Sequence, residues 1–142
     1  MKYLFPIVLI LLLFGCEKET TRIIDDGGIG VSFSEIPVLT LNGISDNTIE
    51  AYTDTLGFFV TYEDGNGDLG DIDPDGQTIE VIDQRDPDNL IFYFHLSPRA
   101  PLDAEIAIAG DLTIVLDNVI LLEDTNNEES TTFSIRINDR AG

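Results

Sequence analysis

The chain has 142 residues, a formal net charge of −20 and a pI near 4.1, with 7 Lys and Arg against 27 Asp and Glu. Such a balance excludes recognition of nucleic-acid phosphates or anionic lipid by charge, because both need clustered cations. The length suits one domain and 43% hydrophobic residues are enough for a core, while the single cysteine, Cys16, rules out an intramolecular disulfide.

Residues 1–15 form the first element. Met1-Lys2-Tyr3 is a short positive start, and Leu4 to Phe14 is an apolar run broken only by Pro6. Eleven residues are too few to cross a bilayer, which takes about 20, but they suit the apolar core of a secretory signal. The run ends in Leu13-Phe14-Gly15-Cys16. This ending resembles the bacterial lipoprotein signal, with Phe14 bulkier than the usual residue at its position. The resemblance implies cleavage before Cys16, acylation of Cys16 and attachment to a membrane through lipid. Residues 16–30 then read as a lipidated tether: Glu17-Lys18-Glu19 is charged, and Asp25-Asp26-Gly27-Gly28 with Gly30 is polar and glycine-rich, the alternative being that Arg22-Ile23-Ile24 pairs as a short edge strand.

From residue 31 to 142 the pattern alternates with period two, which predicts β-strands. Ile36 to Leu41 opens the series with Pro37 at its start, and Asn42-Gly43 reads as a turn. A short strand is expected at Thr48–Tyr52. Thr55 to Tyr62 places Leu56, Phe58, Val60 and Tyr62 on one face.

The stretch Tyr62-Glu63-Asp64-Gly65-Asn66-Gly67-Asp68-Leu69-Gly70-Asp71-Ile72-Asp73-Pro74-Asp75-Gly76 follows that strand. Asp64, Asn66 and Asp68 recur at every second position with glycines between them. Calcium takes six to eight oxygens, and a loop can deliver several when carboxylates and amides alternate with residues that let the chain curl. Gly70 would add a carbonyl, and Asp71, Asp73 and Asp75 further carboxylates. The loop is not an EF-hand: counting from Asp64, position 6 is Leu69 and position 12 is Asp75, where that motif needs Gly and Glu, and the flanks are strands rather than helices. Magnesium suits it less, since that ion keeps its waters. The competing reading is a solvated acidic hairpin, because Asp-Gly and Asn-Gly also favour tight turns.

After the loop, strands are expected at Thr78–Asp83, at Leu90–Leu96, over Ile106–Leu116, at Val119–Leu122 and over Phe133–Ile137. Leu90–Leu96 is apolar on both faces and so reads as a central strand. Gly110 would mark a bulge or bend. Some seven short strands without helical periodicity predict an all-β, immunoglobulin-like antiparallel sandwich. Catalytic constellations are sparse. The one histidine, His95, falls mid-strand among aromatics and reads as structural, and Gly27-Gly28-Ile29-Gly30 lacks the context of a phosphate loop.

Three features together resemble a group of uncharacterised Bacteroidota lipoproteins: Cys16, the Tyr62–Gly70 loop and the closing Asp139-Arg140-Ala141-Gly142. The resemblance implies an immunoglobulin-like sandwich with a metal loop, and the end motif is similar to that of calcium-dependent bacterial modules, where the Asp of the last strand meets a loop at the same pole. On that implication Asp139 completes the site; on the plainer reading it ends an ordinary turn, paired with Arg136 or Arg140. The expected function is a lipid-anchored, calcium-stabilised module of the outer membrane, periplasmic or surface-exposed, that binds or scaffolds without catalysis, its protein or glycan partner unspecified. The alternatives are a calcium-dependent enzyme acting on glycans and a calcium-dependent assembly module.

Overall fold

The computed structural model describes residues 33–141 apart from 118 and 124. The export signal, Cys16 and the tether lie outside the described residues. Six strands make up the order β1 (Val38–Ile44), β2 (Thr55–Asp64), β3 (Ile79–Asp83), β4 (Ile91–Phe94), β5 (Ile108–Asp117) and β6 (Phe133–Ile137). They form two three-stranded antiparallel sheets, β1-β2-β5 and β4-β3-β6. The domain is an all-β sandwich, as the alternation predicts.

Cross-strand partners share a face, and the registers show why the core forms between the sheets. Leu56, Phe58 and Val60 of β2 stand opposite Leu116, Ile114 and Leu112 of β5, and all six are buried. In the other sheet Ile79 and Val81 of β3 stand opposite Phe94 and Phe92 on one side and Ile137 and Ile135 on the other. The sheets meet where the rings of Phe58 and Phe133 pack edge to face, with centroids 5.4 Å apart. Fully burying side chains of this size contributes about 1.5–3 kcal/mol each relative to leaving them exposed.

Several expectations are corrected. Thr48–Tyr52 is turn and irregular chain, with Tyr52 at φ 64° and its N–H bonded to the Val119 carbonyl; Val119–Leu122 likewise forms no strand. Asn42-Gly43 does not turn the chain but sits inside β1, where the register against β2 shifts between Leu41 and Gly43. Gly110 marks no bulge: β5 pairs with β2 without a shift from Ile108 to Asp117. Gly110 faces Tyr62, and a Cβ there would lie 2.8 Å from its hydroxyl, so the glycine makes room for the ring. The strand read as central, β4, is an edge strand with Tyr93 and His95 exposed. Its outward row ends in polar atoms that tolerate water, which hydropathy alone does not register.

Candidate metal centre

β2 ends at Asp64, whose place in the alternation points it inward with Phe58, Val60 and Tyr62. An aspartate in that row is buried, here 0% exposed, and must find partners. It finds them in the backbone of its own loop. Asp64 Oδ1 accepts from the Asn66 N–H at 3.4 Å and Oδ2 from the Leu69 N–H at 3.1 Å. Asn66 Oδ1 in turn accepts from the Asp68 N–H at 3.3 Å. The every-second-residue spacing thus produces a curl in which each side chain holds an amide further along.

Two glycines make the curl possible. Gly67 has φ 76° and Gly70 φ 91°, values that L side chains rarely adopt. Gly65, expected to take φ > 0, does not. Its N–H bonds to the Ser34 carbonyl at 2.7 Å, and a Cβ there would lie 2.6 Å from the Phe33 carbonyl oxygen. That position needs glycine because the incoming chain passes so close.

Leu69 is fully buried, and it meets the chain two residues past Ile137, the residue of β6 that pairs with the first residue of β3. Its carbonyl accepts from the Arg99 N–H on one side, and on the other it bridges Asp139, just past β6. The loop is therefore threaded into the end of the second sheet, and Asp139 is brought to it across the sandwich. Arg140 reinforces the join, donating from Nη1 to the Gly70 carbonyl at 3.0 Å and from Nη2 to the Gly67 carbonyl at 3.4 Å. The Gly70 carbonyl, a candidate ligand, thus has a cation on it already. Arg136 points elsewhere, exposed and 3.9 Å from Glu80.

The electrostatics mark Asp64, Asp68 and Asp139 as one acidic pole. Burial pushes the Asp64 carboxyl up, the Asn66 and Leu69 amides work against that rise, and the charge of Asp139 adds to it. Burial also pushes Asp68 up, followed by the charges of Asp139 and Asp64, with Arg140 opposing. Asp68 Oδ1 is buried with no hydrogen-bond partner. Such an atom costs about 1–3 kcal/mol, more when charged.

Asp71, Asp73 and Asp75 form a separate run. Asp71 Oδ1 accepts from the Asp73 N–H and Asp73 Oδ1 from the Asp75 N–H, both at 3.0 Å, and Asp73 and Asp75 are exposed. None of the three is among the main charges acting on Asp64 or Asp68. Among the described residues, no three Asp, Glu, His or Cys side chains are gathered into a metal shell of their own. A shell at this pole would draw on the Asn66 amide and main-chain oxygens together with the carboxylates, a mixture that calcium accepts. The oxygen-only donors and the partnerless Asp68 Oδ1 fit such an ion.

A second polar cluster escapes the sequence reading. Asp83 ends β3 on its inner face, is buried, and takes Arg85 through Nε and Nη2 together with the Thr131 hydroxyl. Arg85 Nη1 reaches Glu129 at 2.7 Å and the Ile120 carbonyl at 2.9 Å, and Glu129 accepts from the Leu122 and Glu123 amides. Burial would raise the Asp83 carboxyl, but these bonds together hold it below its ordinary value, and they lower Glu129 as well. A cavity of about 280 Å³ beside it is lined by Gln84, Arg85, Ser130, Thr131 and Thr132. In sequence, Asp83 looks like one more turn acid; only its inward parity on β3 signals its burial. His95 is exposed, its Nε2 3.3 Å from the Ser97 hydroxyl.

No family model matches this chain, and neither the curated proteins nor the solved structures contain a detectable match to it.

Proposed function

We propose that this protein is a lipid-anchored, calcium-stabilised module of the cell envelope that binds or scaffolds a partner without catalysis of its own. Cys16 would carry the lipid, and the domain would stand on the membrane at the end of the residue 16–30 tether. The strand orders support an immunoglobulin-like reading. The first, second and fifth strands share one sheet and the third, fourth and sixth the other, as strands A, B, E and C, C′, F do in that fold.

The observation that carries the calcium reading is the buried Asp68 Oδ1, without a partner beside two further acids. A cation there would satisfy that oxygen and offset the repulsion among Asp64, Asp68 and Asp139. Asn66 and loop carbonyls complete the proposed ligand set, while Asp71, Asp73 and Asp75 serve as an outer acidic ring. Calcium at this pole would fasten the loop to the end of β6 and so join β2 to the second sheet. Extracellular sites of this kind bind at about 10⁻⁴–10⁻³ M, and free calcium at ten times Kd would add about 1.4 kcal/mol.

Thermal unfolding of the chain from Glu17 onward tests the proposal, first in EDTA and then with calcium or magnesium added. A calcium-specific rise in Tm at sub-millimolar to millimolar levels, lost in Asp64→Ala and Asp68→Ala, supports a metal site. A Tm indifferent to calcium leaves an acidic hairpin in its place.

A further inference from the structure

Three main-chain oxygens of the acidic loop are held by one residue. The Arg140 N–H donates to the Asp68 carbonyl at 3.3 Å, its Nη1 to the Gly70 carbonyl at 3.0 Å and its Nη2 to the Gly67 carbonyl at 3.4 Å. A guanidinium aimed at carbonyl oxygens supplies what a bound metal ion supplies there, positive charge on the lone pairs. It also acts on a carboxylate of the pole. Burial raises Asp68, the charges of Asp139 and Asp64 add to the rise, and the charge of Arg140 opposes it. Arg140 thus takes the part of a cation in this loop.

The main-chain and side-chain contacts of Arg140 are separable. Its N–H bond to Asp68 and the neighbouring Leu69–Asp139 bridge belong to the backbone tie between the end of β6 and the loop. The guanidinium sits on a long flexible stem and is only part-buried, so it can exchange the carbonyls for water without undoing that tie. A metal ion puts this to use. A shell that satisfies the buried, partnerless Asp68 Oδ1 and draws on the Gly67 or Gly70 oxygens would lie against the guanidinium already on those oxygens. Two cations on the same ligand atoms repel, and the one on the mobile stem is the one that can leave.

We propose that Arg140 is a built-in competitor for the metal: its guanidinium holds the Gly67 and Gly70 carbonyls of the empty loop and gives them up when a divalent cation binds. The inference rests on the calcium reading above and adds to it the residue that sets the affinity. Arg140 stabilises the empty form. A ligand that has to displace it binds more weakly, by the fraction of molecules in which the carbonyls stand free. The site therefore fills only at high free calcium, and the C-terminal arginine side chain is released as it fills.

The test titrates calcium calorimetrically into the full chain in detergent, stripped with EDTA, as the unaltered protein, Arg140→Gln and Arg136→Gln. Glutamine keeps an amide donor for a carbonyl and drops the charge. Arg140→Gln should bind calcium about tenfold or more tighter, with a lower Tm in EDTA. Arg136 is exposed and 3.9 Å from Glu80; its variant removes the same charge away from the loop and should change the affinity by less than about threefold. A second readout needs no variant and decides the matter even where Arg140→Gln does not fold. Phenylglyoxal modification of Arg140 in the unaltered protein, followed by peptide mass, should become faster when calcium is added. Calcium bound no tighter by Arg140→Gln overturns the proposal and leaves the calcium reading standing, because the guanidinium then remains in the loaded loop. Modification that calcium slows or leaves unchanged does the same. An equal gain in Arg136→Gln also overturns it, since the effect is then one of overall charge. If none of the three proteins binds calcium at millimolar levels, the calcium reading itself fails and this inference falls with it.

Discussion

Asp139 stands across from Leu69 in an isolated antiparallel bridge, so the second residue past β6 is tied to the middle of the acidic loop. One backbone pairing closes 70 residues of chain and sets a third carboxylate beside Asp64 and Asp68. The pairing has two consequences for those carboxylates: their charges oppose one another in the absence of a cation, and a single bound ion would relieve all three at once.

Neutralising one member of the trio should therefore change sign with conditions. Asp139→Asn in EDTA is expected to raise Tm, because Asp64 and Asp68 lose a repelling neighbour. With millimolar calcium the same variant should fall below the unaltered protein, because its gain from the ion is lost. Paired melts with and without calcium check both signs.

The pH dependence follows from the same shifts. Asp64 and Asp68 have folded-state pKa values above the ordinary carboxylate value. Their contribution is fully present below that value and is lost as pH rises through the raised ones. Asp83 and Glu129 are lowered, so theirs is present above the ordinary value and lost as pH falls through the depressed ones. In EDTA, stability should rise as pH is lowered toward the ordinary carboxylate range, then fall below it. Calcium should flatten the first limb and leave the second unchanged. Denaturant titrations across pH 3–7 would show this as one limb erased by the ion.

Arg85 is the hub of the second cluster, with Asp83 and Glu129 both largely buried around it. Arg85→Ala leaves Asp83 charged and unpaired, and should cost about 3–5 kcal/mol in urea unfolding. Replacing Arg85 and Asp83 together by Met and Leu should cost less, since the Asp83 charge goes with its partner and Glu129 keeps the Leu122 and Glu123 amides. Neither change should alter the response to calcium.

Two glycines separate backbone need from mere occurrence. Gly67→Ala forces a side chain onto φ 76° and toward the Ile106 carbonyl oxygen, and should cost more than about 1 kcal/mol. Gly43→Ala meets nothing within 4 Å and should be neutral or stabilising by a few tenths of a kcal/mol. Thermal melts of the two variants give the comparison directly.

Alternation in the sequence determined the β class and the inward rows of β2, β3, β5 and β6, because period two fixes which residues can be buried together. Asp64-x-Asn66-x-Asp68 with its glycines determined a curled acidic loop, because short polar side chains two residues apart bond the next amides locally. Tertiary structure alone decided the rest. It made β4 an edge, which depends on how many neighbours a strand acquires rather than on its own residues. It brought Asp139 and Arg140 to the loop, a pairing across 70 residues that no local pattern encodes. It buried Asp83 with Arg85 and Glu129. Pairing between distant strands is set by the packing of two whole sheets, and a sequence read in short windows holds no record of it.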